Sequence, residues 1–185
     1  YAGGLSDRTR WAMDAAGRSG AGNPLTKLKV RQAIFHAIDR KALADKLVTG
    51  GSRVPTGPCY PGQFGCDPEA AVKYDYDPTK AKALLAEAGY PNGFDTELVT
   101  FVLPTWAAAV QNYLQAVGIR ARISQIQVAA YIQRNWRGEN PLGLGSWGSY
   151  SVNDVSAIMP NYFAFGNDDY TRDEQLKVLV EAGGA

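Results

Sequence analysis

Thr96 to Ile126 reads TELVTFVLPTWAAAVQNYLQAVGIRARISQI and holds three hydropathy patterns in succession. Thr96 to Leu103 is rich in β-branched and aromatic residues, which predicts a strand. Trp106, Val110, Tyr113, Leu114 and Val117 then recur at three- and four-residue spacing, the period of one helix face, so Trp106 to Val117 is expected to be helical. From Ile119 to Ile126 the pattern becomes an alternation, with Ile119, Ala121 and Ile123 on one side and Arg120, Arg122 and Ser124 on the other. Strand, helix, strand at this length implies a right-handed crossover between parallel strands. The expected fold class is α/β, a mixed sheet flanked by helices.

Upstream, Asp77 offers a side-chain cap and Pro78 suits the first helical position; Leu84 and Leu85 face the core, and Gly89 with Pro91 stops that helix. Farther back, Val30, Ala33, Ile34, Ala37 and Ile38 fall on one helix face while Lys29, Arg31 and Gln32 take others. Asp39 sits where this pattern shifts. Its carboxylate can cap a second helix carrying Ala42, Leu43 and Leu47 and ended by Gly50-Gly51. Asn23-Pro24-Leu25 reads as a turn and Arg8 to Ala15 as an edge strand. Downstream, Val128 to Arg137 predicts a short helix, Leu142 to Tyr150 a glycine-rich strand or loop, and Glu174 to Glu181 a closing helix. No repeat or low-complexity linker interrupts the chain, so one α/β domain over residues 1–185 is expected.

Composition narrows the functions. With 45% hydrophobic and 20% charged residues among 185, the chain can bury a core. Nineteen basic against eighteen acidic residues leave a formal charge of +1, and no Lys/Arg block suggests a nucleic-acid groove or a polybasic membrane patch. No stretch approaches the ~18 consecutive apolar residues of a membrane helix. One His and two Cys argue against most zinc, haem and iron–sulfur sites made from this chain alone, so neither metal nor cofactor is expected. Beginning at Tyr1, without an initiator Met or a signal-peptide pattern, the sequence reads as a piece of something longer.

Chemistry-bearing residues are few. Cys59 and Cys66 lie in the turn-rich stretch Cys-Tyr-Pro-Gly-Gln-Phe-Gly-Cys, inside the long loop Ser52 to Lys73. Their separation is wrong for a Cys-x-x-Cys redox motif and no His is nearby, so a disulfide in an oxidising compartment is the leading reading; two reduced, buried thiols are the alternative. His36, mid-helix between Phe35 and Ala37, reads as structural, and no Gly-x-Ser-x-Gly elbow accompanies it. Asp75 with Asp77, and Asp168 with Asp169, are explained by caps and turns, without calcium-loop spacing. Gly143-Leu144-Gly145-Ser146 lacks the lysine of a phosphate loop. From Gly143 to Tyr162, Trp147, Tyr150 and Tyr162 are interspersed with Gly, Ser, Asn and Asp. Such a mixture suits a ligand-facing wall, where rings bury area and hydroxyls and amides fix orientation; a core strand with a packing Trp fits it equally.

Six phrases stand in order along the chain: Pro24-Leu25 through Val30-Arg31-Gln32-Ala33-Ile34, Ala37-Ile38-Asp39-Arg40, Tyr76-Asp77-Pro78 with Ala81-Lys82-Ala83-Leu84-Leu85, Glu87-Ala88-Gly89-Tyr90-Pro91, Gly118-Ile119, and Trp147 to Asp154. Together they resemble one family, the bacterial extracellular solute-binding proteins of family 5, the peptide, opine and nickel binders of ABC importers. The resemblance implies a class II periplasmic-binding-protein-like lobe, most of the lobe called domain III, in a two-lobed protein that closes on a solute. It implies a monomer, periplasmic or membrane-anchored on the outside, whose partners are a small-molecule or peptide ligand, ABC permease subunits and its own N-terminal lobe, with no nucleic acid. Peptide binders of the family hold the ligand's amine with an Asp three residues after the Trp matching Trp147; here that position is Tyr150. Dipeptide binders also use an Arg after the strand matching Thr96 to Leu103, and Val102-Leu103-Pro104-Thr105-Trp106 offers none. These departures count against a free dipeptide and leave open opines, sugar-phosphate conjugates, longer or blocked peptides and a small polar solute.

The resulting expectation is binding without catalysis. Trp147 and Tyr150 would stack on or cap the ligand, Ser146, Ser149 and Asn153 would hydrogen-bond it, and Trp106 would close the pocket edge. The rival readings are a hydrolase using Asp154 or Asp169, and a ligand-sensing lobe of a chemotaxis or signalling system.

Overall fold

The computed structural model describes residues 24–48, 53–55, 57, 59–70, 72–146, 152–166, 168–169 and 173–183. In chain order they form α1 (Leu28–Ala37), α2 (Arg40–Leu47), α3 (Pro78–Glu87), β1 (Phe94–Thr100), α4 (Pro104–Ala116), β2 (Ile119–Gln125), α5 (Val128–Trp136), β3 (Leu142–Leu144), α6 (Met159–Phe163) and α7 (Glu174–Gly183), with short 3-10 turns at Pro24–Thr26 and Val155–Ala157. The chain divides into two compact units, Tyr1–Val54 with Tyr74–Ser146, and Pro55–Lys73 with Trp147–Ala185.

The first unit is built on a three-stranded sheet in the order β2-β1-β3. Both pairings are parallel, Phe94 opposite Ile119 on one side of β1 and Leu98 opposite Leu142 on the other. The expected α/β class stands, with a sheet flanked by helices, and the strands among the described residues pair only in parallel. Alternation puts Phe94, Leu98, Ile119, Ala121, Leu142 and Leu144 into one apolar cluster with Val30, Ala33 and Ile34 of α1, Ala81 and Leu85 of α3, and Ala107, Val110 and Leu114 of α4. Helix α1 packs on α3, and the pair is fastened at its edge where the Lys27 ammonium donates to the Ala88 carbonyl at 2.7 Å.

Both carboxylate caps read from the sequence are made: Asp39 accepts from the Ala42 amide and Asp77 from the Lys80 amide, each at 2.9 Å. His36 is buried and its Nδ1 lies 2.7 Å from the Asp75 carbonyl. β1 begins two residues earlier than the strand expected at Thr96 and stops at Thr100 instead of Leu103. The hydroxyl of Thr100 donates to the Leu144 carbonyl and accepts from the Val102 amide, which draws the chain out of the ladder; Pro104 then fixes the first residue of α4. In the second unit, α6 packs on α7, and α6 had no periodic signal because it spans five residues. The expected edge strand at Arg8 to Ala15, Asn23 and the Gly50-Gly51 stop lie outside the described residues.

At the amino ends of β1 and β2 two glycines meet. Gly93 has φ +70°, and a Cβ there would stand 1.8 Å from the Gly118 carbonyl oxygen. Backbone would have to move at the point where the Phe94 amide donates to that same oxygen at 3.3 Å. Gly93→Ala is therefore expected to destabilise the chain by about 2–4 kcal/mol, from left-handed strain plus overpacking. Urea unfolding followed by circular dichroism measures it, and a loss below about 0.5 kcal/mol, the scale of a neutral surface change, would contradict this account of the strand entry.

Candidate functional site

Parallel strands deliver their carboxyl ends to one edge of a sheet, and in open α/β sheets ligands bind outside that edge, where neighbouring strands send their connections in different directions. In the order β2-β1-β3 that place lies between β1 and β3. The chain leaves β1 through Phe101, Val102 and Leu103 into the first turn of α4, and leaves β3 through Gly145 and Ser146. Thr100 ties the two exits together through its 2.8 Å bond to the Leu144 carbonyl. From α5, buried Tyr131 lies across β3: a Cβ on Gly143 would be 2.5 Å from its hydroxyl oxygen. Phe101 meets the Tyr131 ring edge-on at 4.9 Å between centroids. Gly143 in β3 and Gly145 just after it are thus required by the aromatic ring laid over them.

Charge is distributed unevenly along this sheet. Asp95 pairs with Arg120 at 2.8 Å, and Glu97 pairs with both Arg122 and Arg134 at 3.1 Å, all in the first four residues of their strands or on α5. The hydrogen bond from Arg120 holds the Asp95 carboxyl below its ordinary range. Toward the carboxyl ends the residues are Thr100, Phe101, Val102, Leu103, Pro104, Thr105 and Trp106 after β1, Gln125 at the end of β2, and Leu144, Gly145 and Ser146 at β3. None carries a charge, and the Gln125 side chain is committed to the Val102 carbonyl at 2.9 Å.

The second unit contains the disulfide-closed loop. Cys59 and Cys66 are bonded, with 5.8 Å between their Cα atoms. Inside the ring Gln63 is 7% exposed. Its side-chain oxygen accepts from the Tyr60 amide at 2.9 Å, and its nitrogen donates to the Val152 carbonyl at 3.2 Å and the Asp154 carbonyl at 3.5 Å. Phe64 forms a parallel bridge with Asp154: its amide donates to the Asn153 carbonyl at 3.0 Å, and its carbonyl accepts from the Val155 amide at 3.1 Å.

The six residues expected to face a ligand fall in different places. Ser146 is exposed at the end of β3. Trp106, in the first turn of α4, packs half-buried against the core, and its indole N–H donates to the Leu47 carbonyl at 3.2 Å. That bond ties α4 to α2. Asn153 belongs to the second unit, with its side chain exposed and its backbone paired to Phe64. Trp147, Ser149 and Tyr150 lie outside the described residues. Both acids of the hydrolase reading are engaged by the backbone: Asp154 accepts from the Ser156 amide at 2.8 Å, which lowers its pKa, and Asp169, fully buried, accepts from the Phe165 amide at 3.0 Å. Sequence reasoning missed Gln63 and Tyr131. A lone glutamine in a turn-rich loop carries no periodic signal, and the only hint of Tyr131 was glycine at the alternate positions 143 and 145.

Residues 8–169 match the model of the bacterial extracellular solute-binding proteins, family 5. Heme-binding protein A of Haemophilus influenzae is 33% identical over 134 residues, 67% of this chain and 24% of that protein. The glutathione-binding protein GsiB of Shigella flexneri is 37% identical over 152 residues, 78% of this chain and 30% of that protein. Among solved structures, the ABC transporter-associated periplasmic binding protein DppA of Helicobacter pylori, in complex with the peptide STSA, superposes with a TM-score of 0.75 at 26% identity, over 93% of this chain and 34% of that one. The chain thus spans about a quarter to a third of the length of these relatives. No helix among the described residues is long and apolar enough to cross a membrane.

The covalent loop generates a direct expectation. Intact mass under non-reducing conditions should be lower by two hydrogens than after reduction, and removing the bridge with Cys59→Ser and Cys66→Ser together should cost about 2–3 kcal/mol for a ring of this size. Two alkylatable thiols in the unreduced protein would contradict both the bridge and the oxidising compartment.

Proposed function

The chain belongs to family 5 of the bacterial extracellular solute-binding proteins, and on that premise we propose that it is one α/β lobe of a two-lobed receptor that binds a peptide-like or other small polar solute and delivers it to a membrane ABC permease. The receptor works outside the cytoplasmic membrane, in the periplasm or anchored to the outer face, as a monomer and without catalysis. Three lines support this. The relatives are binding proteins by name, for heme and for glutathione, and the superposed structure holds a peptide. The Cys59–Cys66 bridge suits an oxidising compartment. Asp154 and Asp169, the acids a hydrolase would need, are occupied as backbone acceptors.

The observation that carries the reading furthest is the uncharged carboxyl edge of the sheet. A cationic or carboxylate ligand terminus held there would have to lose its water to neutral groups alone, which is unfavourable beside a charge-assisted partner. Ser146, exposed just past β3, adds a hydroxyl to this edge, and Trp106 ties α4 to α2; Trp147, Ser149, Tyr150 and Asn153 are proposed as further solute contacts on their residue types alone. Solutes whose contacting end is neutral, such as blocked or internal peptide segments and polar conjugates, fit this wall best.

Titration calorimetry on the two-lobed protein with free-amine dipeptides, glutathione and N-acetylated tripeptides tests the proposal. Free-amine dipeptides are expected to bind more weakly than N-blocked ones. Tyr150→Phe should weaken the preferred solute by about 0.5–1.5 kcal/mol, one neutral hydrogen bond, and Tyr150→Asp should weaken it further while improving ligands with a free amine. Specific binding of free dipeptides that neither change affects would place the wall elsewhere, and turnover of any of these compounds would overturn the binding reading altogether.

A further inference from the structure

The loop closed by Cys59 and Cys66 holds three successive carbonyls of a segment about ninety residues away in the chain. The Gln63 amide nitrogen donates to Val152 and Asp154, and the Phe64 backbone nitrogen donates to Asn153 between them. The Phe64 carbonyl takes the Val155 amide in return. Gln63 is itself fixed, buried and bonded through its oxygen to the Tyr60 amide, and the turn it belongs to is closed by Gln63 N–H to Tyr60 and by Cys66 N–H to Gln63. Adjacent Phe64 is 79% exposed, so the loop does not hold this segment by burying its aromatic ring. The bonds from Gln63 and Phe64 do so, with the Val155 side chain set against Gly65.

We infer that Gln63 is a positioning residue: it fixes the backbone of Val152 to Val155 so that the exposed Asn153 side chain is presented to solute in one orientation. The inference rests on the reading of Asn153 as a solute contact. Its physical basis is the three-way role of the amide. A primary amide has both an acceptor, which Tyr60 uses, and two N–H groups, which reach two carbonyls at once. A residue of the same length without N–H groups fills the same space and leaves both carbonyls without that donor, and a carboxylate there sets a negative charge against them.

Hydrogen exchange read by mass spectrometry on the intact, oxidised chain separates this from simple packing. Gln63→Met should raise exchange of the Phe64 and Val155 amides about tenfold, the weight of one lost hydrogen bond, with the β1 and β2 amides unchanged. Gln63→Glu at neutral pH should raise it more. If Gln63 only fills volume, the Met variant exchanges like the wild type, and that result overturns the clamp whatever the solute. Glutathione affinity in the two-lobed protein provides the second arm. Gln63→Met should weaken it about tenfold in the wild-type background and leave it unchanged when Asn153 is already Ala, since a residue acting through Asn153 loses its effect with it. An equal loss in both backgrounds refutes positioning through Asn153. Failure of the wild type to bind glutathione counts against that solute under the proposed function, and the exchange arm still decides the clamp.

Discussion

Parallel pairing on both sides of β1 is the constraint from which the rest of the first unit follows. Parallel neighbours cannot be joined by a tight turn, so β1 must reach β2 through α4, and β2 must reach β3 through α5 across the same sheet. Those crossovers make the helical layer a necessity. They also send both exits, Phe101–Leu103 and Gly145–Ser146, to one edge. The carboxyl half of the central strand is buried on both faces and must be apolar or satisfied, and β1 meets this with Leu98 and Val99 buried and Thr100 bonded twice within the structure. Thr100 serves as the hinge of this arrangement: the same hydroxyl that holds β3 in register diverts the chain toward α4.

The electrostatics follow from the same layout. On the face opposite the main core, Asp95, Glu97, Arg120 and Arg122 stand at register positions that pair acid with base across β1 and β2. Such exposed pairs contribute little to stability, so their significance is in where they leave charge and where they do not. Arg134 adds a second partner to Glu97 from α5, which helps orient that helix so that Tyr131 lies over Gly143. With acids and bases gathered toward the amino halves of the strands, the carboxyl edge is left to hydroxyls, rings and backbone. A solute terminus bearing a full charge would meet no counter-charge from these residues.

What was legible in the sequence is what local physics encodes. Alternation at Ile119 to Ser124 and the three- and four-residue spacing of Val110, Leu114 and Val117 report burial directly, and Asp39 and Asp77 each announced a helix start through a bond made within three residues. The end of β1 was not legible, because Phe101, Val102 and Leu103 continue its hydrophobic run and only the tertiary bond from Thr100 to Leu144 shows where the ladder stops. The bond from the Trp106 indole N–H to the Leu47 carbonyl, between residues 59 apart, had no signal in the sequence either. The pairing of Cys59 with Cys66 was legible from turn content, whereas the use made of that ring by Gln63 was not. Its partners come from the far end of the chain, and no spacing within the loop points to them.

The covalent ring and the buried amide are complementary for a reason of entropy. A glutamine side chain loses rotamer freedom when buried, and the net gain from each neutral hydrogen bond is only about 1 kcal/mol. In an open, mobile loop that gain would be offset by the cost of ordering the backbone around it. Closing the loop through Cys59 and Cys66 removes much of that freedom from the unfolded chain, so the bonds to Val152, Asn153 and Asp154 act on a segment whose partner is already shaped. The amide is also the group suited to the task. Lysine could donate to the carbonyls but not accept from Tyr60, and an ionised glutamate could accept but not donate. A neutral donor-acceptor held in a small covalent ring adds no charge beside Asn153, whose exposed side chain is itself neutral.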